Sequence, residues 1–334
     1  MSSILNHTIT KIILSSLLAG LAVCVILMPE HLAFIQFCNH YANQIMLGYL
    51  LMGLLFLALR QKELMTLSFA CCVALCLYLK LAVDIDREGF KKWRSGDQIQ
   101  VESKPAAFTV AHFNLAAGTS EKHILEGIRL ANADLVSIQE IRPDILQRLK
   151  DSLQSDYLHQ YTFMDIRMLG MGIFAKKELQ INDPIYHDGL ASPCGWIQVG
   201  TADERLHFVS TNTLPALTDN SFQELRKHLT TLALHLDTLN MPVIALGDFN
   251  AAPWSNIIRE FELETQMKDS RDGFMSSFTA GSTSFFGAPL NHIFYSDELR
   301  CKGFETVRSP TSAFSAIKGL YEFKKISTNA KKTN

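Results

Sequence analysis

Residues 243–255, VIALGDFNAAPWS, are the stretch around which the chain arranges itself. Four apolar residues, 243–246, predict a short buried strand. Gly247 breaks it and delivers Asp248 and Asn250 to its C-terminal edge. Open α/β sheets bind ligands at such edges. A carboxylate and a carboxamide two residues apart can face one pocket, the acid as base or metal ligand and the amide as a neutral orienter. The alternative is an Asp/Asn turn that closes a strand, since both side chains favour turns through their own backbone hydrogen bonds. Residues elsewhere in the chain bear on the choice.

Apolar residues make up 48% of the 334, and the excess lies at the N-terminus. Residues 12–28, 44–59 and 64–79 carry no charge, and the second run could begin near Leu32. Each approaches the roughly 20 residues needed to cross a bilayer core. A signal peptide would explain the first run, but there is no clear small-residue cleavage site and two more apolar runs follow. Buried core helices would explain all three, but these runs offer no polar faces to cover them. Three transmembrane helices are therefore expected, in a membrane domain over residues 1–83. Lys11, Arg60 and Lys62 against a connection (residues 29–43) free of Lys and Arg put the N-terminus in the cytoplasm and the rest of the chain outside. Lys80, Arg87, Lys91, Lys92 and Arg94 argue the other way, but large domains translocate largely regardless of charge.

Five of seven cysteines lie in or between the apolar runs; Cys194 and Cys301 could form one disulfide, which spacing does not decide. Residues 84–104 read as a charged linker, 105–325 as a globular domain and 326–334 as a flexible polar tail. From Val101 onward there are 23 Lys and Arg against 27 Asp and Glu, net −4. That is not the basic footprint of a nucleic-acid binder.

Strand and helix patterns alternate through the domain. Strands are expected at 108–113, 135–138, 161–166, 171–174, 196–199, 206–211, 292–295, 302–307 and 315–323. Helices are expected from Ser120 to about 132, with Ile124, Ile128 and Leu130 inside, and over 143–153, 220–239 and 255–262. The third of these has Phe222, Leu225, Leu229, Leu232, Leu236 and Leu239 in one stripe at spacings of 3 and 4. The mixed order suggests two sheets packed face to face with helices outside.

Several strands end in a polar side chain: Asn114, Glu140, Asn212, Asp248 with Asn250, and Asn291 before His292. A divalent-metal phosphoesterase needs oxygen ligands of this kind, because a hard cation takes oxygen donors and neutralises phosphate charge. The segments HFNLAAG, SIQE, GDFNAAPWS and LNHIFYS, over about residues 108–323, resemble the endonuclease/exonuclease/phosphatase superfamily, in its bacterial membrane-anchored branch. The resemblance implies a DNase I-like four-layer α/β/β/α sandwich preceded by the three membrane helices, and a Mg²⁺-dependent phosphoester hydrolase. It implies that Glu140 holds the metal with Asn114 in support. Asp248 would align or activate the attacking water, and Asn250 would contact the scissile phosphate.

The chain departs from that pattern at four places. Asn212 stands where a histidine is expected, and Asn291 where an acid is expected. Ala313 and Phe314 stand where the closing Asp-His pair is expected. Histidine titrates near neutral pH; asparagine and phenylalanine do not. General acid–base assistance is worth roughly 10²–10⁴ in rate, so hydrolysis should be slow. His112, His187 and His292 are the histidines that could take over. The leading expectation is a catalytically impaired, membrane-anchored binding or scaffold subunit in the bacterial inner membrane, its domain on the periplasmic side. The runner-up is a weak Mg²⁺-dependent phosphodiesterase or phosphatase acting on a small or membrane-bound phosphoester. The expected partners are the bilayer and other membrane-protein subunits.

Overall fold

The computed structural model describes residues 8–27, 33–83, 107–115, 119–164, 170–187, 189–199, 204–239, 241–271, 289–307 and 314–324. The expected linker, the tail, and the Gly/Ser-rich stretch at 273–287 lie outside them.

Four apolar helices come first: α1 (Thr8–Leu27), α2 (Ala33–His40), α3 (Ala42–Ala58) and α4 (Lys62–Val83). Two of them, α1 and α4, are long and apolar enough to cross a membrane. The count reaches three only if α2 and α3, bent 74° apart, form one span. The expected run at 44–59 is the single helix α3, and its extension toward Leu32 takes in α2 and the bend. Close packing of α3 on α4 needs Gly53, where an added Cβ would lie 2.7 Å from the Phe69 ring. Lys11 at the start of α1 pairs with Glu63 at the start of α4 at 3.2 Å, so these two helix ends lie together.

The remainder is a four-layer sandwich. Its first sheet runs in the order β13 (Leu299–Thr306), β14 (Phe314–Phe323), β1 (Ala107–Leu115), β2 (Leu135–Ile141), β4 (Gly170–Ala175), β3 (His159–Phe163). The second runs β11 (Lys268–Asp269), β12 (Asn291–Tyr295), β10 (Val243–Asp248), β9 (Arg205–Asn212), β8 (Cys194–Gln198), β5 (Leu179–Ile181). β6 (Ile185–His187) and β7 (Leu190–Ser192) form a separate ribbon. Helices α5 (Glu121–Ala131) and α6 (Pro143–Leu153) cover the first sheet, and α7 (Asp219–Asp237) and α8 (Asn256–Thr265) the second.

Period-two alternation builds the layers. In β1, Phe108 and Val110 enter the core between the sheets, whereas Ala111, Phe113 and Leu115 face the helices. In β10, Ile244 and Leu246 face inward, and Val243 and Ala245 pack under α7. The α7 stripe is buried as its spacing requires, and the helix begins in a capping box between Thr218 and Ser221. Leu130 is not on the inner face of α5 but 72% exposed. It lies two residues from Ile128, and residues two apart do not share a helix face. Ser120 occupies the N-cap position without capping through its side chain, which pairs with His123 instead. Cys194 and Cys301 are free thiols on different sheets, so they form no disulfide.

Candidate active site

The two central strands, β1 and β10, are paired in the same pattern: each pairs in parallel with one strand and antiparallel with another. Their C-terminal ends therefore meet at one edge of the sandwich. Asn114 of β1 donates from Nδ2 to Oδ2 of Asp248 at 2.6 Å, across 134 residues of chain. Asp248 Oδ1 accepts from the backbone N of Asn250 at 2.9 Å, and Asn250 Nδ2 donates to the Thr213 carbonyl at 2.7 Å. Asp248, Asn250 and Asn114 thus form one hydrogen-bonded cluster.

Glu140 reaches this cluster through a bulge. Its neighbours Val136 and Ile138 point to the helix side, and regular alternation would send Glu140 after them. The β2–β4 register shifts between Ile138 and Ile141, and Glu140 takes φ 58. A bulge re-aims a side chain in this way. Here it leaves the carboxyl near enough to Asn114 for that amide to favour its ionised form. Asn250 is also left-handed, at φ 47. Left-handed non-glycine residues persist only where the surroundings impose them, and they cluster at functional sites. Gly247, at φ 146, is required: a Cβ there would lie 1.7 Å from the Thr211 carbonyl oxygen.

Burial raises the pKa of Glu140, against the opposing effect of the Asn114 amide. Burial likewise pushes Asp248 up to about 7, and the Glu140 charge adds to the effect. Two acids are thus drawn together in a poorly hydrated edge. Among the described residues no Lys or Arg pairs with either, and no three His, Cys, Asp or Glu side chains gather as metal ligands. The set of two carboxylates and a carboxamide suits a magnesium-like ion, which binds through one or two carboxylates and keeps several waters. A cation would offset the Glu140 repulsion that adds to the effect of burial at Asp248.

The other predicted positions lie on the same edge. Asn212 ends β9 opposite Asp248, and its Oδ1 is buried without a hydrogen-bond partner. Asn291 opens β12, also opposite Asp248, and its Oδ1 lies 3.2 Å from His112 Nε2. Phe314 opens β14 across from Leu115, one residue past Asn114; Ala313 lies outside the described residues. His112 is buried between the sheets with Ser137 and Asn291, and burial lowers it to about 3, so it is neutral. His292 faces the other side of its sheet, with Nδ1 2.6 Å from Asp269 and Nε2 2.9 Å from the Ala251 carbonyl. His187 lies beside Thr231 of α7. Among the described residues, none of the three is hydrogen-bonded to Glu140 or Asp248.

Two supporting groups carry no role in the sequence reading. Gln139 bridges the sheets: Nε2 donates to the Thr211 carbonyl at 2.8 Å and to Ser210 Oγ, while Oε1 accepts from the Asp248 backbone N at 3.1 Å. Its inward place in β2 was the available signal. The Asp269–Arg271–His292 cluster, which holds Ala251 next to Asn250, joins segments 21 or more residues apart and left no local pattern.

Comparison with known families matches residues 111–317 to the Endonuclease/Exonuclease/phosphatase family. The chain belongs to that family. The endonuclease/exonuclease/phosphatase of Beutenbergia cavernae DSM 12333 is similar over 65% of this chain and 72% of its own, at TM-score 0.52 and 14% identity. TDP2 of D. rerio, complexed with a single strand DNA product, is similar over 65% and 99%, at TM-score 0.51 and 15% identity. The human Nocturnin catalytic domain, with bound sulfate anion, is similar over 67% and 96%, at TM-score 0.51 and 14% identity. At these identities the likeness shows the Endonuclease/Exonuclease/phosphatase fold alone. No curated protein matches the chain.

Proposed function

We propose that the chain is a membrane-anchored Endonuclease/Exonuclease/phosphatase family protein that binds a divalent cation and a phosphoester at the Asp248–Glu140 edge, with an impaired hydrolytic step. One observation carries the reading. The oxygen donors Glu140, Asp248 and Asn114 converge, while carboxamides fill the neighbouring positions Asn212 and Asn291. Glu140 and Asp248 would hold the cation, with Asn114 in support; when bound it supplies charge neutralisation for a phosphate. Asn114 orients Asp248, Asn250 offers a neutral polar contact, and Gln139 fixes the strand that carries the acid. A carboxamide at 212 can donate a hydrogen bond to developing charge but cannot exchange a proton near neutral pH.

The anchoring reading takes α1, α4 and the bent pair α2–α3 as three spans. The Lys11–Glu63 pair supports an arrangement in which α1 and α4 begin on one side and the domain follows from the other. With Lys11, Arg60 and Lys62 on the cytoplasmic side, the domain lies outside.

Titration calorimetry of Mg²⁺ and Mn²⁺ into the detergent-solubilised full chain tests the cleft. Binding should weaken at least about tenfold in Glu140→Gln, which loses one of two anionic donors. Asn212→His should raise turnover of bis(p-nitrophenyl) phosphate by roughly 10²–10⁴, the range for general acid–base assistance. Cation binding indifferent to Glu140→Gln would overturn the site. Rapid wild-type turnover, unimproved by Asn212→His, would overturn the impairment.

A further inference from the structure

The segment that carries Asp248 and Asn250 does not end at the cleft. It continues through Ala252 and Trp254 into the apolar helices, where both are buried in one cluster with Cys38, Ala42 and Leu79. The Trp254 indole N–H donates to the carbonyl of Asn39 in α2 at 2.7 Å. Tyr78 of α4 donates to the Trp254 carbonyl at 3.3 Å and accepts from Asn39 Nδ2 at 3.1 Å. Arg259 of α8 reaches the same carbonyl at 3.2 Å. Trp254 follows Asp248 by six positions, so the acid lies within roughly 22 Å of this socket even if the chain were fully extended.

The socket is built on α2, a short helix set at 74° to α3. Its outward face exposes Phe34 and Phe37, and its inner face buries Ile35, Gln36, Cys38 and Asn39. An aromatic outer face on a helix turned away from its neighbour suits the bilayer interface. Gln36 is buried with neither amide atom hydrogen-bonded, one turn from the Asn39 that takes the indole. Its amide keeps both donor and acceptor capacity unused inside the helix cluster. On the domain side, the loop after Asn212 exposes Leu214 and Leu217, the second at 80%. Apolar side chains thus stand in the loop whose Thr213 donates to the Asp248 carbonyl and accepts from Asn250.

We propose that the phosphoester taken by this cleft is the headgroup of a lipid in the bilayer that the helices enter, delivered where Trp254 seats the Asp248–Asn250 segment on α2. The inference rests on the reading of the cleft as a cation and phosphoester site. Cleft and helix surface share one loop, so a ligand held by its tails in the bilayer arrives beside the acids without leaving the membrane. A water-soluble ester gains nothing from that arrangement.

The test uses the full chain in phosphatidylcholine nanodiscs containing phosphatidic acid, a monoester, or phosphatidylglycerol, a diester, with Mg²⁺. Native mass spectrometry reads the retained lipid, and glycerol 3-phosphate and glycerophosphoglycerol serve as soluble competitors. One anionic lipid should be retained in a Mg²⁺-dependent manner, with retention lost in Glu140→Gln. Retention should fall at least about tenfold in Trp254→Ala and in Leu217→Asp, an exposed position whose change leaves the fold intact, while Mg²⁺ affinity is unchanged. Equal displacement by the soluble esters, or retention that ignores all three substitutions, overturns the lipid assignment and leaves the cation site standing. Absence of Mg²⁺ binding by calorimetry sinks the cleft reading itself, and this inference with it.

Discussion

Asp248 is a carboxyl group held where ionisation is disfavoured. Its folded pKa of about 7 lies above the ordinary 3.8, burial being the main cause. Across that window the native state binds the proton more tightly than the unfolded chain, so this group's contribution to stability falls as pH rises from about 4 to 7. Asp248→Asn removes the charge while one hydrogen bond, from Asn114 or from the Asn250 backbone, must rearrange. Thermal unfolding in EDTA should show the variant more stable than wild type by about 1–3 kcal/mol at pH 8, with the gain vanishing at pH 4. A gain that ignores pH would mean the charge is not what strains the site. His228 behaves in the opposite sense. Burial, then the neighbouring His187, lowers it to about 4 from 6.5. Its contribution is complete above pH 6.5 and is lost as pH falls toward 4, a change of about 3 kcal/mol. His228→Gln should flatten the acid side of a stability–pH curve in that window; an unchanged slope would assign the acid sensitivity to other groups.

At the scale of elements, the edge is made by two departures from regular strand geometry. The bulge at Glu140 turns an acid that alternation would send toward the helices. Gly247 lets β10 approach β9 closely enough for Asp248 to face Asn114. These make opposite predictions. Glu140→Gly relieves a left-handed backbone, and chemical denaturation should show about 1 kcal/mol of added stability alongside lost cation binding. Gly247→Ala drives a Cβ into the Thr211 carbonyl, and should cost more than about 3 kcal/mol, in the tail reserved for strain and overpacking. The same distinction explains what could be read beforehand. Helix α6 and the α7 stripe were legible because their apolar residues repeat over three or more turns. β5, β6 and β7 have three residues each, too few to show alternation, and none was foreseen. The polar edge residues were legible as strand ends, but a period-two pattern contains no sign of a bulge. The sequence named Glu140 without supplying the reason it faces the cleft.

At the scale of the molecule, the described contacts between the sandwich and the helices centre on the Trp254 loop, joined by Arg259 of α8 over the Tyr78 ring of α4 at 5.9 Å. The three apolar cores of the domain contain no residue of α1–α4, whereas Ala252 and Trp254 belong wholly to the helix cluster. Burying a tryptophan of this size stabilises by about 2–3 kcal/mol, enough to hold the contact and too little to hold the domain together. The domain from residue 104 onward should therefore fold without the helices and expose Trp254. The measurement is iodide quenching of indole fluorescence, with Trp93 and Trp196 replaced by Phe so that a single emitter remains. In the detergent-solubilised full chain Trp254 emission should be blue-shifted and nearly immune to iodide; in the isolated domain it should shift to the red and quench several-fold more strongly. Mg²⁺ affinity should match between the two forms, because every carboxylate at the edge belongs to the sandwich. If Trp254 stays shielded after the helices are removed, the domain buries it unaided, and the helices are not what shields it.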